Sequence, residues 1–336
     1  MKLEDIGMKK SVPLLGRAIA VGLTLLGVAL AGPAAAAEYP DRAIKLIVPF
    51  APGGASDQAA RMLSVPLSEA LKQSVVVENR PGAGGNVGIG IAAHAKPDGY
   101  TLLVASSAFV VNPSLAKAAS YDPLKSFAFV TEIGSSPNVL VARPESGIKT
   151  FEDLVRVAKE QPGKIFYSSA GVGTTPHLTG ELIKLRAGID MVHVPFAGAG
   201  PAVQAVLAGG QVQIASSALS VVQPHIAGGT LIPIVQTGMT RATELPDTPT
   251  LVEVGYPNAV SETFQAVFAP AGTPQPIVDR LVHEVQTILQ QPAMQEALGK
   301  LGFVVSGKGP KALEERVISE IPMWKAVIDR AGIQPQ

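Results

Sequence analysis

The chain has 336 residues, of which 47% are apolar and 16% charged, and its 27 basic and 27 acidic side chains cancel. That composition excludes an intrinsically disordered chain, which needs low hydrophobicity and excess charge, and the absence of basic runs leaves no electrostatic footprint for nucleic acid. With no cysteine at all, disulfides, thiolate metal sites and cysteine nucleophiles are excluded together, and the length predicts two domains, each able to bury its own core.

Residues 1–37 read as a leader. Lys9, Lys10 and Arg17 precede an apolar run from Ala18 to Gly32, and Ala35-Ala36-Ala37 supplies the small residues that a signal peptidase reads. The run is shorter than the ~20 residues needed to span a membrane. Cleavage is expected before Glu38, leaving an exported mature chain with a net charge of about −2. Met8-Lys9-Lys10 offers a second place for the leader to start.

Beyond the leader, strands and helices alternate. Ile44-Lys45-Leu46-Ile47-Val48 predicts a strand, followed by a Pro/Gly turn and a helix opening at Ser56-Asp57. Val75-Val76-Val77 and Tyr100-Thr101-Leu102-Leu103-Val104 predict two more strands, with a glycine-dense stretch, residues 80–90, between them. Strands at Val139-Leu140-Val141 and Ile165-Phe166-Tyr167 flank a helix over residues 151–160 whose Phe151, Leu154, Val155 and Ala158 share one face. The clearest helix follows Pro276, where Ile277, Val278, Leu281, Val282, Val285, Ile288 and Leu289 form a stripe. Pro66 and Pro322 lie inside helical patterns and predict a kink or split at each. The class is α/β with parallel βαβ construction.

Enzyme and cofactor motifs fail when tested. Gly88-Ile89-Gly90-Ile91-Ala92-Ala93 fits a dinucleotide pattern, but no strand directly precedes it and no acid follows about 20 residues on. The run from Gly302 to Lys308 imitates a phosphate loop but continues into Gly309 where Ser or Thr is required, and reads as a turn. No G-x-S-x-G elbow occurs, and the five histidines lack ligand spacing, so no metal and no cofactor is expected. A triad assembled from distant residues stays open, because such triads are defined by geometry.

Two similar loops remain. Phe50, Ala51, Pro52, Gly53, Gly54, Ser56 and Asp57 leave a strand and open a helix; Ser168, Ser169, Gly171, Gly173, Thr174, Thr175, Pro176 and His177 do the same again. Each is a neutral cup of peptide N–H groups at a helix N-terminus, suited to an anion. Either alone also fits an ordinary βα turn; in that reading Thr175 caps its helix, Asp57 orders its own loop and His177 packs.

These residues carry a resemblance. Tyr39-Pro40-Asp41-Arg42, Val48-Pro49-Phe50-Ala51-Pro52-Gly53-Gly54 with Asp57, Val77-Glu78-Asn79-Arg80-Pro81-Gly82-Ala83-Gly84-Gly85-Asn86 and Pro97-Asp98-Gly99-Tyr100 look like the Bug family, the periplasmic solute-binding proteins of tripartite tricarboxylate transporters. The match continues through His193-Val194-Pro195-Phe196 and Ala269-Pro270-Ala271-Gly272-Thr273-Pro274. The resemblance implies a two-domain periplasmic-binding-protein type II (Venus-flytrap) fold with two crossover hinge strands, near residues 139–142 and 263–268. Domain 1 would then comprise residues 38–140 and 263–336, domain 2 residues 141–262, and the ligand cleft would lie between them.

It further implies that the two loops grip one ligand carboxylate through backbone amides, hydroxyls and ordered waters, that Ser106, Ser107, Phe109 and Asn112 shape the far end, and that Phe196 and Ser216 face the ligand. Phe196-Ala197-Gly198 stands where relatives often carry Tyr-Lys-Gly, and Gln213 where they often carry an Asp. Losing that cation and that acid favours a carboxylate with an apolar or aromatic body over citrate or an amino acid; packing of Phe109 and Phe196 in the core is the competing reading. The implied activity is capture of a small carboxylate and its delivery to the membrane permease, as a monomer, with no chemistry on the ligand. An exported α/β hydrolase and a ligand-sensing partner of a membrane kinase are the alternatives.

Overall fold

The β-branched run that follows the expected leader forms β1 (Ile44–Val48), which pairs in parallel with β2 (Val75–Asn79) and β3 (Thr101–Ser106). The computed structural model describes residues 39–115, 120–257 and 259–334; the expected leader lies outside them. The strands are linked by α1 (Ala55–Leu71) and α2 (Asn86–Ala93), and β3 runs into a short α3 (Ala108–Val111). Then comes β4 (Phe127–Ala142), a strand of 16 residues. A second alternating series follows: α4 (Phe151–Glu160), β5 (Ile165–Ser169), α5 (Thr175–Ala187), β6 (Met191–Pro195), α6 (Ala199–Leu207), β7 (Ile214–Ala218), α7 (Leu219–Ala227) and β8 (Ile232–Gln236). The chain returns through β9 (Glu262–Pro270) to α8 (Gln275–Leu289), α9 (Pro292–Lys300), β10 (Val304–Val305) and α10 (Pro310–Ala331).

The strand order is β2-β1-β3-β9-β4-β7-β5-β6, with β10 and β8 also paired to β4. Its flanks are parallel, but β9 is antiparallel to both β3 and β4, and β4 is antiparallel to β7 and β8. β4 therefore belongs to two sheets. It pairs with β9 as far as Pro137 and with β7 from Asn138 onward. Proline lacks an N–H, so the exchange of partners falls where the ladder is already weakened.

The return crossing lies between Ser261, whose N–H donates to Thr237 O (3.0 Å), and Glu262, the first residue of β9. The expected hinge segments are each displaced: residues 139–142 sit wholly in the second sheet and residues 263–268 in the first. Fully buried Asn138 ties the crossings together. It donates to Thr179 Oγ1 (3.3 Å) and Ser261 Oγ (3.2 Å) and accepts from Thr263 Oγ1 (2.8 Å).

Each sheet has its own core. Phe109, Phe127, Phe129, Phe268 and Trp324 cluster over the first, and Leu140, Phe151, Leu154, Tyr167 and Ile214 over the second. Helices α4 and α8 form as their apolar stripes predict, and Thr150 Oγ1 caps α4 by accepting from Asp153 N–H at 3.1 Å. Neither α1 nor α10 splits at its proline. Buried Leu63, Leu67 and Leu71 follow or precede Pro66 on one face, and Trp324 and Ile328 follow Pro322, so packing offsets the one hydrogen bond each ring removes. The dinucleotide-like glycines lie inside α2, where a side chain on Gly88 would come within 2.6 Å of Pro49 Cα and Arg80 O; they serve helix–strand contact. Among the described residues, no helix is long and apolar enough to cross a membrane.

Candidate functional site

Both helices that follow the two loops begin without a side-chain cap. Gly54 stands at the N-cap of α1 and Thr174 at that of α5, and neither side chain accepts a hydrogen bond from its helix. Thr175, expected as the cap, is instead the first helical residue, and its hydroxyl bonds to Thr263 Oγ1 on β9. Thr174 Oγ1 donates to Gly171 O at 2.7 Å, closing the loop on itself. Both N-termini thus keep unpaired N–H groups and the positive end of a helix dipole.

They converge on a small cavity of about 30 Å³, room for one or two water-sized groups. Its wall includes Phe50, Gly54, Ala55, Ser56 and Ser106 from one side, Ala170, Thr174, Thr175 and Ala218 from the other, and Thr263 and Gln265 from the crossing strand. Gln265 Oε1 accepts from Ser56 Oγ at 2.7 Å, and its Nε2 is buried with no partner. Beside it, sharing Phe50 and Ala170, lies a cavity of about 450 Å³ walled by residues 82–86, Asn112, Leu115, Gly171, Val172 and residues 195–197. Among the described residues, no Lys, Arg, His, Asp or Glu lines either cavity, which is the chemistry of a site that holds one anionic end by dipoles and leaves the rest uncharged.

The first loop touches the β6–α6 connection across the cavities. Ala51 N–H donates to Ala197 O at 2.9 Å, and a side chain on Gly200 would come within 2.6 Å of Pro52 O. Gly84, at φ +61, faces Gly171 and Val172 so closely that a methyl group there would overlap the Val172 carbonyl oxygen.

Several expected contributors stand behind the wall instead of on it. Phe109 is fully buried, stacked at 4.3 Å on Phe268 and 5.5 Å on Tyr121, and belongs to the first core. Ser107 Oγ accepts from Phe264 N–H (2.9 Å), Ser168 Oγ donates to Ala202 O (2.9 Å), and Ser216 Oγ donates to Pro176 O (2.7 Å). Each hydroxyl is spent on holding a backbone segment. Pro52 and Gly53 line a separate groove of about 450 Å³ on the far side of the loop contact. Gly173 belongs to the second loop but lines neither cavity, and Ser169 and His177 lie behind that loop, whereas Phe196 and Asn112 do line the larger cavity. Residues 82–86 and Gln265 were missed as site residues; the glycine density of the former was the available signal, and nothing local marked the latter.

Asp57 orders the first loop. It is buried; its Oδ2 accepts from Gly53 N–H (2.9 Å) and Arg61 Nε (3.0 Å), and its Oδ1 from Asn79 Nδ2 (2.9 Å). Burial pushes the carboxyl upward, but the hydrogen bonds from Arg61, Gly53 and Asn79 outweigh it and hold the group below the usual range. We expect Asp57→Ala to lower unfolding stability by about 2–3 kcal/mol in urea titration, because three donors lose one acceptor.

Burial lowers two histidines further. His177 is brought to about 4 by desolvation, with Glu181 opposing and Lys184 adding, and His193 to about 3 by desolvation, His177 and Lys184. Both are neutral at neutral pH.

A mixed α/β chain whose two sheets share crossing strands, with uncapped helix N-termini meeting in the cleft between them, is a two-domain periplasmic-binding-protein fold. The profile described as "Tripartite tricarboxylate transporter family receptor" matches residues 59–333. The chain belongs to that family. It is 35% identical to Protein BugT of Bordetella pertussis over 314 residues, 93% of this chain and 96% of that one. Among solved structures it resembles periplasmic binding protein BugD (TM-score 0.86, 34% identity, 89% of this chain and 100% of that one). It also resembles R. palustris Rpa4515 with adipate (TM-score 0.85, 31% identity, 89% and 100%).

Proposed function

We propose that this chain is the periplasmic solute receptor of a tripartite tricarboxylate-type transporter, exported by cleavage near residue 37 and acting as a monomer. It captures one small carboxylate with an apolar or aromatic body and delivers it to the membrane permease. The anionic end occupies the small cavity, held by N–H groups of α1 and α5 and by Gln265 Nε2, and the body fills the larger cavity against Phe50 and Phe196. The lobes divide between residues 137 and 138 and between 261 and 262, and bending there opens and closes the cleft.

The observation that carries this reading is the convergence of two uncapped helix N-termini on a cavity whose lining holds no charged side chain. Phe109 packs in the first core and does not support an apolar-bodied ligand; Phe196 and a wall without cations among the described residues do. A bound citrate would leave two carboxylates without a counter-charge.

The test is thermal unfolding of residues 38–336 with adipate, benzoate, phenylacetate, citrate and amino acids. A ligand at a hundred times its Kd adds about 2.7 kcal/mol, a rise of roughly 5 °C for a chain of this size. We expect that rise with at least one of the first three and none with citrate. A shift with citrate alone would overturn the ligand class, and no shift with any carboxylate would overturn the receptor assignment. For the hydrolase alternative, Ser169 and His193 are the Ser–His pair in hydrogen-bond contact among the described residues (2.7 Å), but Ser169 is fully buried and lines neither cavity.

A further inference from the structure

We propose that the stacked pair His177 and His193 positions the second binding loop, residues 170–174, and that both rings must be uncharged for the loop to keep its ligand-holding shape. The inference rests on the reading of the two cavities as the ligand site.

The loop supplies Ala170, Gly171, Val172 and Thr174 to the cavity walls, and two of its peptide N–H groups are anchored from behind. Gly171 N–H donates to Ser169 Oγ at 3.2 Å, and Ser169 Oγ lies 2.7 Å from His193 Nε2. Gly173 N–H is directed at His177 Nδ1 at 3.4 Å. The two rings stack with centroids 4.2 Å apart, and His193 stacks in turn on Tyr167 at 4.9 Å. Each anchor of the loop therefore ends on one member of a single aromatic stack.

The protons decide what the stack tolerates. A neutral imidazole has one donor and one acceptor nitrogen. His177 Nδ1 must be the acceptor that faces Gly173 N–H, so its proton sits on Nε2. Protonating Nδ1 would set two donors against each other and abolish that anchor. The groups facing the pair are Tyr167 and Ser169 of β5 and Glu181 and Lys184 of α5. Glu181 is already engaged by Tyr167 OH (2.6 Å) and Lys184 Nζ (3.1 Å). α10 also packs on α5, where Leu178 joins Leu313, Val317 and Trp324 in one apolar cluster. A cation on His193 would meet the second imidazole and Lys184, and one on His177 would be drawn by Glu181 but opposed by burial and Lys184, consistent with the lowered affinity of both for protons.

The test uses the mature chain, ¹⁵N-labelled, with amide exchange read at Gly171 and Gly173 and with adipate and benzoate titrated as probes. His177→Phe keeps the stack and loses the acceptor; His177→Asn keeps an uncharged oxygen acceptor; Ser169→Ala removes the Gly171 anchor with little change in volume. We expect His177→Phe to speed exchange at Gly173 about tenfold, the size of one lost hydrogen bond, and to weaken probe binding similarly. His177→Asn should restore both to within about threefold, and Ser169→Ala should speed Gly171 but not Gly173. Wild-type binding should fall as the pH drops towards 4 while that of His177→Asn falls less. Unchanged exchange in folded His177→Phe and Ser169→Ala overturns the inference. Should His177→Phe fail to fold, Gly173 exchange followed from pH 7 to pH 4 in the wild type and in His177→Asn decides: faster exchange towards pH 4 in the wild type than in the variant supports the inference, and equal pH dependence overturns it. If neither probe binds the wild type, the site reading falls while the exchange data still judge the anchors.

Discussion

Replacing Gly84 by valine will weaken carboxylate binding by about 100-fold and leave the folded protein with its circular dichroism intact. The loss is that of a closed state strained by roughly 3 kcal/mol, since apparent affinity falls with the population of the binding-competent form. Two facts set the size. Gly84 sits at φ +61, where a side chain is strained in its own loop, and any Cβ there would overlap the carbonyl oxygen of Val172 across the cleft. On the proposed hinge motion, the first cost is paid in both open and closed forms and the second arises only on closure. Gly171, at φ +130 and 3.1 Å from Phe196 O at its would-be Cβ, should respond to valine in the same direction. Isothermal titration with the carboxylate identified in the thermal panel, together with the radius of gyration with and without it, checks the result. Wild-type affinity in folded Gly84→Val would show that the Gly84–Val172 contact is not part of the bound state.

Acidification from pH 6.5 to pH 4 will cost on the order of 3 kcal/mol of folding stability for each of His177 and His193, because each pKa unit is worth about 1.4 kcal/mol. Burial leaves the folded-state values near 4 and near 3, against 6.5 for the free side chain. In that window the unfolded chain takes up protons that the folded chain refuses, so stability is complete above about pH 6.5 and is lost as pH falls through the folded values. Urea midpoints measured from pH 7 to pH 4 test this against the double variant His177→Asn, His193→Phe. The variant should lose markedly less stability over the interval than the wild type. Equal losses would mean that carboxylates such as Asp57, whose folded value is also depressed, dominate the acid limb.

Elements whose signals are local can be read from the residues alone. The α/β alternation, the amphipathic faces of α4 and α8 and the two glycine-bearing loops that open α1 and α5 are legible because spacing, proline and glycine act within a few residues. The family motifs sit in those same loops, since a peptide cup for an anion is built from consecutive residues.

Tertiary structure decided what depends on partners far along the chain. Val139-Leu140-Val141 gives no hint that its strand begins at Phe127 and changes sheets after Pro137, because β4 is extended by β9, more than a hundred residues away. Phe109 looks like a pocket residue until Phe268 stacks on it. Gln265 enters the site only because Ser56, 209 residues distant in sequence, takes its oxygen and leaves its amide nitrogen to the cavity. His177 and His193 read as scattered histidines, yet parallel pairing of β5 with β6 sets His193 beside Tyr167 and the α5 helix lays His177 on it, one stack behind residues 170–174. Local pattern can propose a helix or a loop, but which side chain faces the ligand and which faces the core is fixed by long-range packing.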